Sequence, residues 1–178
     1  MADDAEFQSI LMNTLKLEGG YTVDNGKPTN RGVRQDVYDA YAKANKLESK
    51  SVKELTHGDV SDFYKKEYYD KAVKDIPSRN IKGMVFDYAV NAGVSKAVSD
   101  LQSIVGTKAD GIAGKKTKAA IEKYLKKNGE DALKTELTGR RVQHYQNLVI
   151  ANPEKYQKYE KGWFNRMESL LRTYKSGE

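Results

Sequence analysis

Glu18 is the residue whose type and position best suit catalysis. It stands at the end of a predicted helix, and Gly19 and Gly20 follow it directly. The partial negative charge of a helix C-terminus, together with apolar neighbours, disfavours an ionised carboxylate. Both effects favour the protonated acid that a proton donor needs, and the glycines let a substrate approach closely. Glu is also a common helix former and Gly-Gly a common helix end, so a purely structural role stays open.

Three polar residues follow in a segment that could face the same cleft as Glu18. Residues 21–32 are rich in Gly, Pro, Asn and Asp, which predicts a loop or a short hairpin. Asp24, Thr29 and Asn30 lie in this segment. Asp24 could equally stabilise an Asx-type turn, and the Thr29 hydroxyl could bond to nearby backbone. We therefore treat all three as candidate site residues.

The composition excludes several other chemistries. The 178 residues contain no cysteine, so disulfides and thiolate metal ligands are excluded. The two histidines, His57 and His144, are far apart in sequence, and no nucleophile-elbow motif accompanies them, which disfavours a Ser-His-Asp hydrolase. We expect both to be solvated or core residues.

The net charge of +6 and a pI of about 9.2 favour a polyanionic partner. Nucleic acid, the bacterial wall and outer-membrane phosphates are candidates, beside a merely solvated lysine-rich surface. No arginine-rich helix or series of stacking aromatics stands out, so we expect no specific nucleic-acid partner. No apolar run approaches about 18 residues, and the start lacks the pattern of a signal peptide, so we expect no transmembrane segment and cytoplasmic synthesis.

Hydrophobic periodicity predicts a mostly α-helical chain with one loop or small hairpin after the first helix. Phe7, Ile10, Leu11 and Leu15 form the apolar stripe of that helix, and the very apolar residues 80–92 predict a buried central helix. Further helices are predicted over about 95–105, 116–126, 131–150 and from 153 onward, with Asp59 capping an earlier helix and Gly162 bending or ending the last one.

Four sequence elements occur in an order that is more specific than any one of them. They are Glu18-Gly19-Gly20-Tyr21 with Asp24 and Thr29-Asn30-Arg31-Gly32, then FDYAVNAG at 86–93, DGIAGKKT at 110–117, and GWFNR at 162–166. Together they resemble the muramidases of glycoside hydrolase family 108, found among phage endolysins and related secretion-linked lysozymes. The loop between Tyr21 and Thr29 is a few residues shorter than is usual in that family.

The resemblance implies a lysozyme-like fold and hydrolysis of the β-1,4 bond between N-acetylmuramic acid and N-acetylglucosamine in peptidoglycan, without a cofactor or a metal. Glu18 would protonate the leaving oxygen. Asp24 is the first candidate for the second catalytic group, and Thr29, which would hold the attacking water, is the second. Substrate contacts are expected from Tyr21, Asn30, Asp87 and Asn91.

Several of these residues have structural alternatives. Asn91 could bond an N-acetyl group or only a neighbouring helix end. We expect Trp163 to close the core and Arg166 to be a structural ion-pair or capping partner. The element at 110–117 is described in the family as peptidoglycan-binding, but its composition predicts a tight turn before a helix.

We expect two regions in one globule: a lysozyme-like catalytic region over 1–93 and a helical region that resembles a peptidoglycan-binding element over 94–178. The expected protein is a monomeric endolysin, made in the host cytoplasm and released to the periplasm by a holin, with an anionic envelope surface as a further candidate partner. A lytic transglycosylase acting on the same bond and a non-catalytic wall-binding module are the alternatives.

Overall fold

Helices and one small sheet make up the protein, as the sequence predicts. In the computed structural model the described residues are 2–24 and 26–175, without the side chains of Ala2 and Asp24. This part of the chain is mostly α-helical, with a three-stranded antiparallel sheet near its start. It divides into two compact units, Met1–Asp70 and Lys71–Glu178. None of its helices combines the length and apolar character that crossing a bilayer requires.

Helix α1 (Ala2–Leu15) opens the first unit and buries most of the predicted stripe, with Leu15 only half-buried. Phe7, Ile10 and Leu11 are almost completely buried. The helix ends earlier than the two glycines suggest, because backbone bonds from Leu17 to Thr14 and from Glu18 to Leu15 close a tighter turn there. Glu18 therefore stands in the turn that follows the helix.

The predicted hairpin is present and is extended by a third short strand. Strands β1 (Thr22–Asp24), β2 (Lys27–Asn30) and β3 (Val33–Arg34) pair in the order β1-β2-β3, all antiparallel. Asp24 pairs with Lys27 across the first turn, and Asn30 pairs with Val33 across the second. Each turn therefore has two residues, the length that favours glycine-containing hairpins.

The rest of the first unit is helical: α2 (Gln35–Ala44), a 3₁₀ turn (Val52–Glu54), α3 (His57–Tyr64), a π-helical segment (Lys65–Tyr69) and α4 (Asp70–Ala72), which continues into the second unit. The predicted cap of α3 is wrong by three residues. Thr56 is the N-cap, and Asp59 is the third helical residue of a capping box with it. The side chain of each bonds to the backbone of the other, which is why Asp59 looked like a start signal.

The second unit contains five helices among the described residues: α5 (Arg79–Ala92), α6 (Val94–Val105), α7 (Lys115–Asn128), α8 (Glu130–Ala151) and α9 (Pro153–Thr173). Helix α5 is the predicted buried central helix, with nine consecutive buried residues from Ile81 to Ala89. Gly162 does not end α9, which continues to Thr173, and a bend at this glycine stays a prediction. A single glycine costs about 1 kcal/mol in a helix, and the surrounding packing outweighs it.

The turn at 110–117 is organised by one buried side chain, Gln102 of α6. Its amide nitrogen donates to Asp110 at 2.9 Å and to the Thr117 hydroxyl at 3.0 Å, and its oxygen accepts from the backbone of Gly111 at 2.9 Å. Gln102 is almost completely buried. These bonds confirm the structural role that the composition predicts for this element.

Candidate active site

The carboxyl group of Glu18 lies against the backbone of Gly32. A Cβ built on Gly32 would stand 2.8 Å from Glu18 Oε2 and 2.9 Å from its Cδ, closer than real side chains approach. Glu18 itself is half-buried. The tight contact fixes the acid against the turn between β2 and β3, and only a residue without a side chain fits at Gly32.

Gly32 occupies a backbone conformation that suits this role. Arg31 and Gly32 form the two-residue turn between β2 and β3, with φ of 50° and 76°. Positive φ at both central residues is the signature of a type I′ hairpin turn, in which glycine is strongly preferred. The turn exposes one face of the Gly32 backbone to Glu18, because that face carries no Cβ.

A buried tyrosine holds the same turn. Tyr64 Oη donates a 2.9 Å hydrogen bond to the carbonyl oxygen of Arg31. The same hydroxyl would stand 2.5 Å from a Cβ on Gly32. Tyr64 is almost completely buried at the end of α3. Glu18 and Tyr64 therefore meet the same small patch of backbone, which fixes the acid relative to the hairpin.

The π-helical segment brings a second tyrosine near the acid. Burial raises the pKa of Tyr68, and the charges of Glu67 and Glu18 raise it further, while Arg34 opposes them. Glu18 and Arg34 thus each lie within electrostatic reach of Tyr68. Single π-helical turns often occur at functional sites. Here the turn places Tyr64 and Tyr68 with their ring centroids 5.5 Å apart.

The surface beside Glu18 is open. Gly19 and Gly20 are exposed, and a Cβ on either would meet nothing within 4 Å. Tyr21, which follows them, is 45% exposed, with the Lys53 ammonium 5.6 Å from its ring centroid. An exposed aromatic ring beside an acid is a suitable surface for a sugar ring, so Tyr21 remains a predicted substrate contact.

Strand β2 carries two of the predicted site residues. Thr29 lies in the middle of the sheet, between Thr22 of β1 and Arg34 of β3, and is half-buried. The Asn30 side chain donates a 2.9 Å hydrogen bond to the carbonyl oxygen of Val52, so it ties the sheet to the 3₁₀ turn. Asn30 thus has a structural role, and its contact with substrate stays a prediction. The side chain of Asp24 lies outside the described part of the chain.

Asp87 has no exposed surface, which opposes its predicted role in binding substrate. Its carboxylate accepts from Arg141 Nη2 at 2.8 Å and from Arg166 at 2.8 and 2.9 Å. Burial disfavours the charged form, but the charges and hydrogen bonds of the two guanidinium groups outweigh it and hold the pKa of Asp87 below its ordinary value. We correct Asp87 to a structural residue that joins α5 to α8 and α9.

Arg166 is the structural ion-pair partner that the sequence predicts. Asn91 is exposed, yet its Oδ1 accepts a 2.5 Å hydrogen bond from the hydroxyl of Tyr145, which lies inside α8. Asn91 thus bonds a side chain of a neighbouring helix and not a helix end. Trp163 stacks on Tyr145 with ring centroids 4.6 Å apart, so one of its faces covers the core as expected. Substrate contact by Asn91 stays a prediction.

Neither histidine stands in a metal-binding arrangement. His57 is exposed at the start of α3, and His144 is half-buried beside Tyr88 and Tyr145. Burial, with the nearby charge of Lys96, lowers the pKa of His144. Over the described ranges, no group of three or more His, Cys, Asp or Glu side chains could hold a metal ion.

Sequence reasoning missed Gly32, Tyr64 and Tyr68 as parts of the site. The cluster of aromatics in FYKKEYY at 63–69 is the signal in the sequence that points to the two tyrosines. Gly32 belongs to the sequence motif, but the motif by itself gives no reason for the glycine. The succession Asn30-Arg31-Gly32 before a buried Val33 is compatible with a hairpin turn.

Comparisons with known proteins find two family matches and one similar solved structure. Residues 11–93 match the family described as Glycosyl hydrolase 108, and residues 96–168 match the family described as Predicted Peptidoglycan domain. Among solved structures, the chain is similar to SagA of Brucella abortus, with 27% sequence identity and a TM-score of 0.76. The similarity covers 94% of this chain and 92% of that one. No curated protein matches the chain.

The first match contains Glu18, the whole sheet and the tyrosines around the acid, and the second contains α7, α8 and most of α6 and α9. The two matches meet near residue 94, whereas the compact units divide after Asp70. The packing of both regions into one globule stays a prediction. The fold is lysozyme-like, residues 11–93 match glycosyl hydrolase family 108, and residues 96–168 match a peptidoglycan domain. These matches support a glycoside hydrolase that acts on the bacterial cell wall, with peptidoglycan as its partner.

Proposed function

We propose that the protein is a muramidase that cleaves the β-1,4 bond between N-acetylmuramic acid and N-acetylglucosamine, with Glu18 as the general acid. The observation that carries this proposal is the contact of the Glu18 carboxyl with the Gly32 turn. A proton donor works only if it is held within hydrogen-bond reach of the leaving oxygen. Glu18 is held from the protein side by the turn and stands beside the open Gly19-Gly20 surface.

The second catalytic group would come from the neighbouring sheet. Asp24 at the end of β1 and Thr29 in β2 are the two candidates, since both belong to the hairpin against which Glu18 packs. An inverting enzyme needs room for a water between its two groups, about 6.5–9.5 Å between carboxyls. A retaining enzyme places them about 5–5.5 Å apart, so that the second one attacks the sugar directly.

The decisive experiment digests purified peptidoglycan with the wild type and with Glu18→Gln, and identifies the fragments by mass spectrometry. The substitution keeps the size and hydrogen bonding of the side chain but removes its transferable proton. General acid catalysis contributes roughly 10²–10⁴-fold, so the variant should lose at least that factor. Glu54→Gln, an exposed glutamate in the 3₁₀ turn of the same unit, is the matched control and should keep full activity.

The chemical nature of the new ends separates the proposal from its alternatives. Reducing muramic acid ends support a muramidase. Anhydro ends would make the protein a lytic transglycosylase, and reducing glucosamine ends would make it a glucosaminidase. A folded wild type that releases no fragments would favour a non-catalytic wall-binding module.

The anomeric form of the first product distinguishes the two mechanisms. NMR spectra recorded during the first turnovers show whether the new reducing end keeps or inverts its configuration. Asp24→Asn and Thr29→Val then show which residue acts with Glu18. Under inversion with Thr29 as the holder of water, Thr29→Val should lose far more activity than Asp24→Asn.

We further propose that this activity serves as a bacteriophage endolysin, made in the host cytoplasm and acting on the wall after holin-type release. The resemblance of the four sequence elements to phage endolysins supports this role. Expression in a bacterium with and without a holin tests it. Culture lysis that requires both the holin and Glu18 would support cytolysis, and lysis without the holin would contradict the release step.

A further inference from the structure

The second unit contains an open groove that the proposed cleavage site does not use. One wall is the end of α6 and the residues that follow it, and the other wall is one face of α7. The volume of the groove is about 600 Å³. This volume falls within the range of about 300–1,000 Å³ that is usual for ligand sites. All of its lining residues lie between 104 and 128, within the match to the peptidoglycan domain.

The floor of the groove is apolar and small. Ile104 and Val105 contribute from α6, and both are half-buried although α6 buries most of its apolar face elsewhere. Ala119 and Ala120 contribute from α7, where they interrupt a run of lysines. Because the alanines carry only a methyl group, they leave the space that longer side chains of this helix would fill.

The rim of the groove is cationic. Lys123 and Lys127 line it one helical turn apart, both are exposed, and the groove has no acidic lining residue. Like charges four residues apart destabilise a helix by about 0.2–0.5 kcal/mol, so folding does not favour this pair. Helix α7 carries six lysines and a single acidic residue, Glu122. An anionic partner would offset this repulsion.

We propose that this groove binds the stem peptide of peptidoglycan. The stem peptide carries free carboxylates and small side chains such as alanine methyls. The methyls match the floor, and the carboxylates match Lys123 and Lys127. The glycan backbone offers no comparable match, because sugar hydroxyls and N-acetyl groups carry no charge and the lactyl carboxyl of muramic acid is held in the amide bond to the stem peptide. The inference rests on peptidoglycan as the target, and it adds that the peptide is recognised separately from the glycan bond that is cut.

The test measures binding in the Glu18→Gln chain, so that cleavage does not consume the ligand. Isothermal titration compares a soluble disaccharide-peptide from peptidoglycan with the same disaccharide after an amidase has removed the peptide. We expect the peptide-bearing form to bind at least about tenfold more tightly, which corresponds to about 1.4 kcal/mol.

Two variants test the groove itself. Lys123→Glu with Lys127→Glu reverses both rim charges and should weaken binding of the disaccharide-peptide at least about tenfold, since each exposed charge pair contributes up to about 1 kcal/mol. Lys116→Glu with Lys126→Glu makes the same change in net charge on the same helix, outside this groove, and should leave binding within about twofold. Ala119→Trp fills the groove without changing the charge and should also abolish the preference for the peptide. Circular dichroism confirms that each variant is folded.

Three results would overturn the proposal. The first is equal affinity for the two disaccharides, and the second is equal weakening of binding by the groove variant and the control variant. The third is a groove variant that loses binding to duplex DNA or to anionic vesicles but still binds the disaccharide-peptide. These results are distinct from failure of the proposed function, because cleavage is read from wild-type products and peptide recognition from a chain that lacks the catalytic proton.

Discussion

Replacing Gly32 with alanine should disable the enzyme without unfolding it. The added methyl would stand 2.8 Å from Glu18 Oε2 and 2.5 Å from Tyr64 Oη, whereas ordinary contacts begin at 3.4 Å. Neither distance is tolerated, so the Glu18 carboxyl must move by about 0.6 Å and the Tyr64 hydroxyl by about 0.9 Å, unless the turn itself shifts away from them. The acid is the more mobile of the two, because Tyr64 is buried and bonded to Arg31.

The expected loss of activity follows from that displacement. A misplacement of about 1 Å can reduce a rate about 10²-fold, so Gly32→Ala should lower the rate of peptidoglycan cleavage about 10- to 100-fold. The positive φ of Gly32 adds a stability cost of about 1–2 kcal/mol for any residue with a Cβ. For a chain of this size that cost lowers the melting temperature by about 2–8 °C.

Gly26→Ala is the control that separates the two effects. Gly26 has a φ of 73°, nearly the same as Gly32, and it lies in the other turn of the same sheet. A Cβ on Gly26 would meet nothing within 4 Å. The variant should therefore show the same loss of stability and keep its activity.

The assay is release of soluble fragments from dye-labelled peptidoglycan, at a temperature at which both variants are folded by circular dichroism. If Gly32→Ala cleaves within about twofold of wild type, the acid is not positioned by this contact, and the reasoning from geometry to rate fails. If Gly26→Ala loses as much activity as Gly32→Ala, the cause is the backbone of the sheet and not the contact with Glu18.

Three further changes test the support of the site and the ionic core. Tyr64→Phe removes the hydrogen bond to the Arg31 carbonyl and should cost about 0.5–1.5 kcal/mol of stability together with part of the activity. Tyr69→Phe removes another buried hydroxyl of the same unit and should affect stability alone. Thermal unfolding and dye release compare the two variants. Asp87→Asn should cost about 3–5 kcal/mol in chemical denaturation, because it leaves two buried guanidinium groups without their counter-ion. The folded pKa of Asp87 is below its ordinary 3.8, so its contribution is full above about pH 4 and falls as the pH drops through the folded pKa; a wild type whose stability is flat from pH 5 to pH 2 would contradict this. Asp59 should titrate at about pH 2 by NMR, since bonds from Thr56 and Lys50 lower its pKa, and Thr56→Ala should raise that pKa toward its ordinary value.

The helical architecture could be predicted from the sequence because the spacing of the hydrophobic residues determines it. The stripe of Phe7, Ile10 and Leu11 and the apolar run of α5 each specify a helix with one buried face, and both helices are present. The first residue of a helix is harder to predict where two possible capping residues lie close together. Thr56 and Asp59 both look like caps, and only the reciprocal bonding of the capping box shows which one begins the helix.

The site was only partly predictable, because its parts are joined by contacts across long sequence separations. Glu18 could be proposed from its local position. That Gly32 and Tyr64 would converge on it depends on the register of the hairpin and on the end of α3, neither of which has a local signature. Asp87 shows the opposite failure. It lies in a motif that resembles a catalytic family, yet its partners Arg141 and Arg166 are 54 and 79 residues away and bury it.

The support behind Glu18 explains why its motif contains glycines at two distant positions. Gly19 and Gly20 leave an open surface beside Glu18, where the proposed function requires substrate to bind, and Gly32 lets the protein approach the acid to contact distance. A general acid needs both conditions, because it must be reachable by the leaving oxygen and yet not free to rotate away from it. A side chain at any of the three positions would compromise one of them. We therefore expect substitutions at Gly19 or Gly20 to weaken substrate binding, and a substitution at Gly32 to slow the chemical step, which steady-state kinetics on a soluble glycan substrate can separate.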